Sequence, residues 1–179
     1  MTATQPAVLV EGDSVRIREK RIEDAERDFR WRSDPELASY DAARPISMSY
    51  RSFLAAMADE IEYPTIQRRT FAIEDRETDE HIGNVMYYGY NATRGEAELG
   101  ITIGDREYWS RGYGAETVQL VRDFLFEELG LRRLFLHTLV WNSRAQAAFA
   151  RAGFREIGRV ERNGYDFVVM ESVSETTED

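Results

Sequence analysis

The sequence predicts an α+β fold, a mixed and largely antiparallel sheet of about seven strands flanked by about four helices. Three observations carry this reading. Segments 69–75, 81–90 and 98–103 have strand composition and are joined only by short polar turns, which makes them an antiparallel meander. Stretches 49–61 and 112–128 place apolar residues at helical spacing, with Phe53, Leu54, Met57 and Ile61 on one stripe and Val118, Val121 and Leu125 on the other. Asn163-Gly164, set between two apolar strands, signals a tight hairpin turn.

With 179 residues the chain suits one domain. No internal repeat, linker or low-complexity tract divides it, so 1–173 is read as a single domain and 174–179 as an acidic tail too polar to join a core. No apolar run approaches the length of a membrane span, and no basic stretch followed by an apolar one marks a secretory signal. A cytoplasmic location and no membrane partner are the expectation. With no cysteine there is no disulfide framework, thiol nucleophile or thiolate metal site, and two separated histidines make a metal centre unexpected. The net charge of −10 argues against nonspecific nucleic-acid binding and suits a cationic acceptor.

In chain order, Val8-Leu9-Val10 is a candidate edge strand, and 15–18 alternates apolar with charged residues as a half-buried strand does. A helix follows from about Ile22, with Glu23, Asp24 and Glu26 where the helix dipole favours acids, and stops near Asp34-Pro35. Residues 34–48 read as a long connection of the kind that often binds ligands, with room for a short helical turn; it holds Tyr40, Asp41 and Arg44. Ser49 is the expected N-cap of the next helix. Segment 134–140 is apolar on both faces, as a central strand is, and makes His137 an expected core histidine. A last helix spans about 143–152. The strand 165–173 is expected to be exposed and able to pair a homodimer.

The chemistry is expected where strand 98–103 leads through a polar connection into Arg111-Gly112-Tyr113-Gly114-Ala115 at a helix start. The first N–H groups of a helix lack internal partners and carry partial positive charge, so an anion is stabilised there. Gly112 and Gly114 lack a Cβ and let a phosphate approach the main chain. A diphosphate ligand is the first expectation; an ordinary tight turn is the plainer reading of Gly-x-Gly by itself.

Taken together, Glu98-Leu99-Gly100-Ile101, Tyr108-Trp109-Ser110-Arg111-Gly112-Tyr113-Gly114-Ala115-Glu116, and Asn142-Ser143-Arg144-Ala145 through Gly153-Phe154 resemble the GCN5-related N-acetyltransferases (GNAT), and within them the ribosomal-protein-alanine and spermidine N-acetyltransferases. The resemblance covers nearly the whole chain. It implies a splayed sheet with acetyl-CoA bound where strands 98–103 and 134–140 part. The pantetheine arm would pair with main chain at Ile101 and Ile103, the pyrophosphate would sit on N–H groups of Arg111, Gly112, Tyr113, Gly114 and Ala115, and Asn142 would contact the arm. Asn142 also reads as a helix N-cap, and both roles are compatible. Two departures stand out. Trp109 occupies the place where the family often has Gln or Arg, and Phe149 the place where many relatives have a tyrosine that protonates the departing thiolate. Tyr113 and Ser143 are the alternative hydroxyls.

The activity implied is transfer of an acetyl group from acetyl-CoA to a primary amine, a protein N-terminus or a small polyamine-like or amino compound, with Glu98 as general base. A carboxylate has an ordinary pKa of about 4 and needs burial to become a useful base. The competing reading, favoured by Phe149, is a catalytically silent acyl-CoA-binding module.

Overall fold

The computed structural model describes residues 6–175, so the start of the chain and residues 176–179 of the acidic tail lie outside the described residues. Eight strands form one sheet: β1 (Val8–Glu11), β2 (Val15–Glu19), β3 (Arg69–Asp75), β4 (His81–Asn91), β5 (Glu96–Ile103), β6 (Arg133–Leu139), β7 (Arg155–Arg162) and β8 (Tyr165–Val173). Five helices accompany them: α1 (Ala25–Ser33), α2 (Pro35–Tyr40), α3 (Tyr50–Glu62), α4 (Tyr113–Glu128) and α5 (Ser143–Arg151). The strand order is β1-β2-β3-β4-β5-β6-β8-β7, and every neighbouring pair is antiparallel except β5 with β6.

The eighth strand is the N-terminal edge strand that the sequence offers as a candidate. The fifth helix, α2, lies in the 34–48 connection, where the sequence allows a short helical turn. Its cause is local: the Asp34 carboxylate accepts from the backbone N–H groups of Glu36 (2.8 Å) and Leu37 (3.2 Å), and Pro35 occupies the first helical position. The same Asp-Pro pair that ends α1 therefore starts α2.

Strand alternation sorts the residues onto two faces. Ala97 and Leu99 of β5 and Leu134 and Leu136 of β6 point into the main core, where Val118, Val121 and Leu125 of α4 meet them. Ala25 of α1 and Phe53 and Met57 of α3 make a second, smaller core. A buried charged cluster ties β2 and β3 to the first helical turns. Arg18 donates to both oxygens of Asp24 (2.9 Å each) and to Glu74 (2.6 Å). Lys20 reaches Asp28 (2.6 Å) and Asn84 (2.7 Å). His81, without an expected role from sequence, is buried beside Lys20, Asp24 and Asp28 and hydrogen-bonded to Asn84 (3.0 Å).

The expectation of an exposed strand at 165–173 is corrected. β8 lies inside the sheet, paired with β6 from Arg133↔Val173 to Leu139↔Phe167 and with β7 on its other side. The tight Asn163-Gly164 turn folds β7 outward, so β7 is the edge strand, exposed along nearly its whole length.

Candidate active site

The parallel ladder between β5 and β6 is short. It pairs Glu96 with Arg133, Ala97 with Leu134 and Glu98 with Phe135, and stops. Beyond Glu98 the strands diverge, and β5 continues to Ile103 paired only with β4. This leaves a strand edge with main-chain groups facing a gap, an arrangement that an extended amide-bearing ligand can complete. At Ile103 one of these groups is committed: its carbonyl accepts from the Trp109 indole N–H at 2.7 Å.

The gap opens into a cleft of about 1310 Å³. Of the residues singled out in the sequence, Glu98, Ile101, Ile103, Trp109, Gly112, Gly114, Ala115, Asn142 and Phe149 line it. The side chains of Arg111 and Tyr113 lie elsewhere. Arg111 is exposed and stacks over the rings of Tyr108 and Tyr113, while Tyr113 is buried, with its hydroxyl toward Asp75 at 3.5 Å. Tyr113 is thus no hydroxyl of the cleft. Ser143 borders a smaller recess with Tyr40, Trp141, Asn142 and Arg144.

Gly112 caps α4 with a left-handed φ of 89°, and Ser110 two residues earlier also has a positive φ of 58°. Such alternation turns successive N–H groups toward one side. No side chain caps α4, so its first N–H groups face outward unsatisfied by any residue at the cap. The acid of its first turn, Glu116, is turned away and accepts from the Ser14 N–H (3.0 and 3.2 Å). A β-carbon on Gly112 or Gly114 would meet nothing within 4 Å, so the space beside the loop is open to a ligand. Across the gap, Asn142 is buried and caps α5 by accepting from the Ala145 N–H at 3.2 Å, which leaves its amide nitrogen for other contacts.

At the base of the gap Glu98 meets His137, with Oε1 to Nδ1 at 2.6 Å and both side chains nearly buried. His137 is therefore no core histidine: it lies on the cleft face of β6, edge-on to Phe135 and Phe167. Tyr88 of β4 completes the group. Burial and then the Glu98 charge push its hydroxyl pKa upward, so the phenol keeps its proton. Sequence alternation places Tyr88, Glu98 and His137 on alternate positions of their strands, but only the end of the β5–β6 ladder shows that this face borders a cleft.

The 34–48 segment contributes as well. Tyr40 packs edge-on to Trp109 (5.4 Å) and tilted on Trp141 (5.2 Å), and Arg144 stacks over Trp109 at 3.8 Å. Asp34 and Glu36 bind Arg106 and are not available to a ligand. Asp41 faces the cleft beside Thr102 (3.4 Å), and crowding by protein raises its pKa to about 6. Among the described residues no group of three or more His, Cys, Asp or Glu is placed to hold a metal, and no helix is long and apolar enough to cross a membrane.

Residues 14–155 match the acetyltransferase (GNAT) domain family. Among curated proteins, the chain is similar to the uncharacterized N-acetyltransferase p20 of Bacillus licheniformis, 31% identical over 119 residues that span 66% of each chain. It is also similar to the uncharacterized N-acetyltransferase YoaA of Bacillus subtilis, 24% identical over 88% of each. Among solved structures, spermidine N-acetyltransferase from Vibrio cholerae in complex with CoA and spermine superposes with a TM-score of 0.79 at 21% identity, covering 90% of this chain and 96% of that one. A GNAT acetyltransferase from Bacillus anthracis gives 0.76 at 15% identity, over 92% and 97%. The family match over most of the chain, on a sheet that parts after Glu98, places this protein in the GNAT family of acetyltransferases, as an N-acetyltransferase.

Proposed function

We propose that the protein transfers the acetyl group of acetyl-CoA to a primary amine, that of a protein N-terminus or of a small polyamine-like or amino compound, with Glu98 as general base. The observation that carries this reading is the position of Glu98: the last residue of β5 paired with β6, held by His137, at the start of a strand edge that leads to an uncapped helix start. In this reading the amide arm of acetyl-CoA runs along Ile101 and Ile103, and its pyrophosphate sits on the N–H groups of Arg111, Gly112, Tyr113, Gly114 and Ala115. Each such charge-assisted bond contributes about 1.5–3 kcal/mol. Asn142 contacts the arm, and Trp109 and Phe149 wall the slot. The Vibrio cholerae neighbour, whose structure holds CoA and spermine, supports an acetyl-CoA site on this fold.

Acetyl-CoA supplies an acyl group bonded to a good leaving group. The chain's residues handle the protons. An ammonium acceptor must lose a proton before its nitrogen can form the C–N bond as the C–S bond breaks. Glu98 takes that proton while the His137 hydrogen bond fixes the carboxylate. A thiolate is a stable enough anion to leave without a dedicated acid, and the second proton, shed by the nitrogen as the amide forms, passes through water to the sulfur. This is consistent with Phe149, which has none to give.

The test is thiol release from acetyl-CoA across basic and neutral N-terminal peptides, spermidine and aminoglycosides. Amine-dependent release is the expected result. Tight acetyl-CoA binding with no release on any acceptor would favour the silent binding module, and Phe149→Tyr would then be the first reversion to make.

A further inference from the structure

The acceptor half of the cleft carries charges that narrow the amine. The chain as a whole is acidic, yet Arg44 after α2, Arg68 before β3 and Arg162 at the end of β7 converge on the cleft from three separate segments. Among the described residues none of the three has an ion-pair partner. The nearby carboxylates are mostly committed elsewhere. Glu19 holds Arg69 (2.6 Å), Asp28 holds Lys20 (2.6 Å), and Glu98 holds His137 (2.6 Å). That leaves Asp41 and Glu60 as the acids of the wall without an ion-pair partner among the described residues. Arg68 and Arg162 line the same cleft as Tyr88 and Glu98, and their charges oppose the upward push on the Tyr88 hydroxyl pKa.

A polycation entering here would set its second and third ammonium groups among unpaired guanidinium groups, and like charges brought together are penalised. An amine whose other end is anionic meets the opposite situation, with its nitrogen at Glu98 and its anion at Arg68 and Arg162, where guanidinium and carboxylate match in geometry. We propose that the acceptor is a primary amine that also carries a carboxylate, recognised by Arg68 and Arg162 with Arg44 at the rim. This rests on the acetyltransferase reading above and selects within it, against polyamines. Two sources share this chemistry: a free amino acid, and a peptide N-terminus followed by acidic residues.

The experiment measures kcat/KM for acetyl-CoA thiol release with aspartate, with a peptide of sequence Ala-Asp-Glu-Phe and its Ala-Lys-Lys-Phe counterpart, both amidated at the C-terminus, and with spermidine. Equilibrium binding of the same amines to CoA-loaded protein is measured in parallel, so selectivity is read even where turnover is absent. The expected result is a preference of about tenfold or more for a carboxylate-bearing amine over spermidine and over the basic peptide, weakening with added salt. Aspartate against the acidic peptide separates the two sources. Arg68→Glu/Arg162→Glu is expected to reverse the preference through KM while leaving acetyl-CoA binding unchanged. A preference for spermidine or the basic peptide, in turnover or in binding, overturns the proposal and leaves the acetyltransferase reading standing. So does a preference that the double substitution does not move. Loss of acetyl-CoA binding in the wild type would instead strike the reading beneath it.

Discussion

Glu98 owes its environment to one residue's difference in strand pairing. Its backbone still belongs to the β5–β6 ladder, while its side chain already faces the gap, with His137 at 2.6 Å and Tyr88 alongside. If it removes the acceptor's proton, Glu98→Gln lowers kcat near pH 7 by roughly 100-fold, within the usual range for loss of a general base. His137 acts through Glu98, which it meets at 2.6 Å, so His137→Leu is expected to reduce kcat by about tenfold with the KM for acetyl-CoA unchanged, and His137→Gln, which can still donate to Glu98, to recover part of the loss; a role in packing alone would not be rescued by the amide. Gly112 offers a second test at this scale. Its φ of 89° suits glycine, and a β-carbon there meets no neighbour, so Gly112→Ala isolates backbone strain. We expect a loss of about 1–2 kcal/mol in unfolding free energy, read by denaturant titration, together with weaker acetyl-CoA binding by calorimetry. Glu98, Gly112 and Asn142 each carry a motif signal in the sequence, and the structure sets all three on one cleft. His137 carries none, since alternation on an apolar strand assigns it to a face without saying whether that face is covered or open.

At the scale of elements, the segment only partly legible was 34–48, a connection in which the short helical turn the sequence allows proves to be α2. Proline after Asp34 signals a helix end, but the same pair is also an N-cap followed by proline at the first helical position, and a helix as short as α2 gives too little periodicity to decide. Asp34→Ala should cost about 1 kcal/mol of stability through the lost cap, measured by thermal or denaturant unfolding. The charged cluster joining β2, β3 and the first helix predicts a pH effect. Burial, reinforced by Lys20, lowers the His81 pKa from 6.5 to about 4, so the fold favours the neutral imidazole. Stability from this group is therefore complete above pH 6.5 and is lost as the pH falls from there towards 4, by about 2 kcal/mol between pH 7 and pH 5. His81→Gln should flatten the unfolding free energy over this interval. Asp24 responds lower. Burial opposes its ionisation, but Arg18 and Lys20 hold its pKa far below the usual carboxylate range, so its contribution is lost only in stronger acid. None of this cluster could be read from sequence, because Arg18, Asp24, Glu74 and His81 meet only through the pairing of β2 with β3 and β3 with β4.

For the whole molecule, the meander, the long helix α4 and the C-terminal hairpin were readable because hydrophobic period and turn residues agree over each of them. The strand order was not: placing β8 between β6 and β7 depends on which edge the hairpin docks against, a long-range choice that local patterns do not encode. The same limit hid the cleft's charge. The net charge of −10 was compatible with a cationic acceptor and carried little weight, since it averages over the surface and does not register the three arginines that line the cleft.

The central claim is that Glu98 deprotonates an amine beside acetyl-CoA bound along β5. The pH dependence of kcat/KM for the best acceptor, wild type against Glu98→Gln, tests it most directly. The account predicts a wild-type rate that changes little with pH around neutrality, and a variant rate that starts roughly 100-fold lower and climbs about tenfold per pH unit towards the acceptor's own pKa, as the free amine replaces the missing base. Parallel profiles for the two proteins, offset or not, would contradict it.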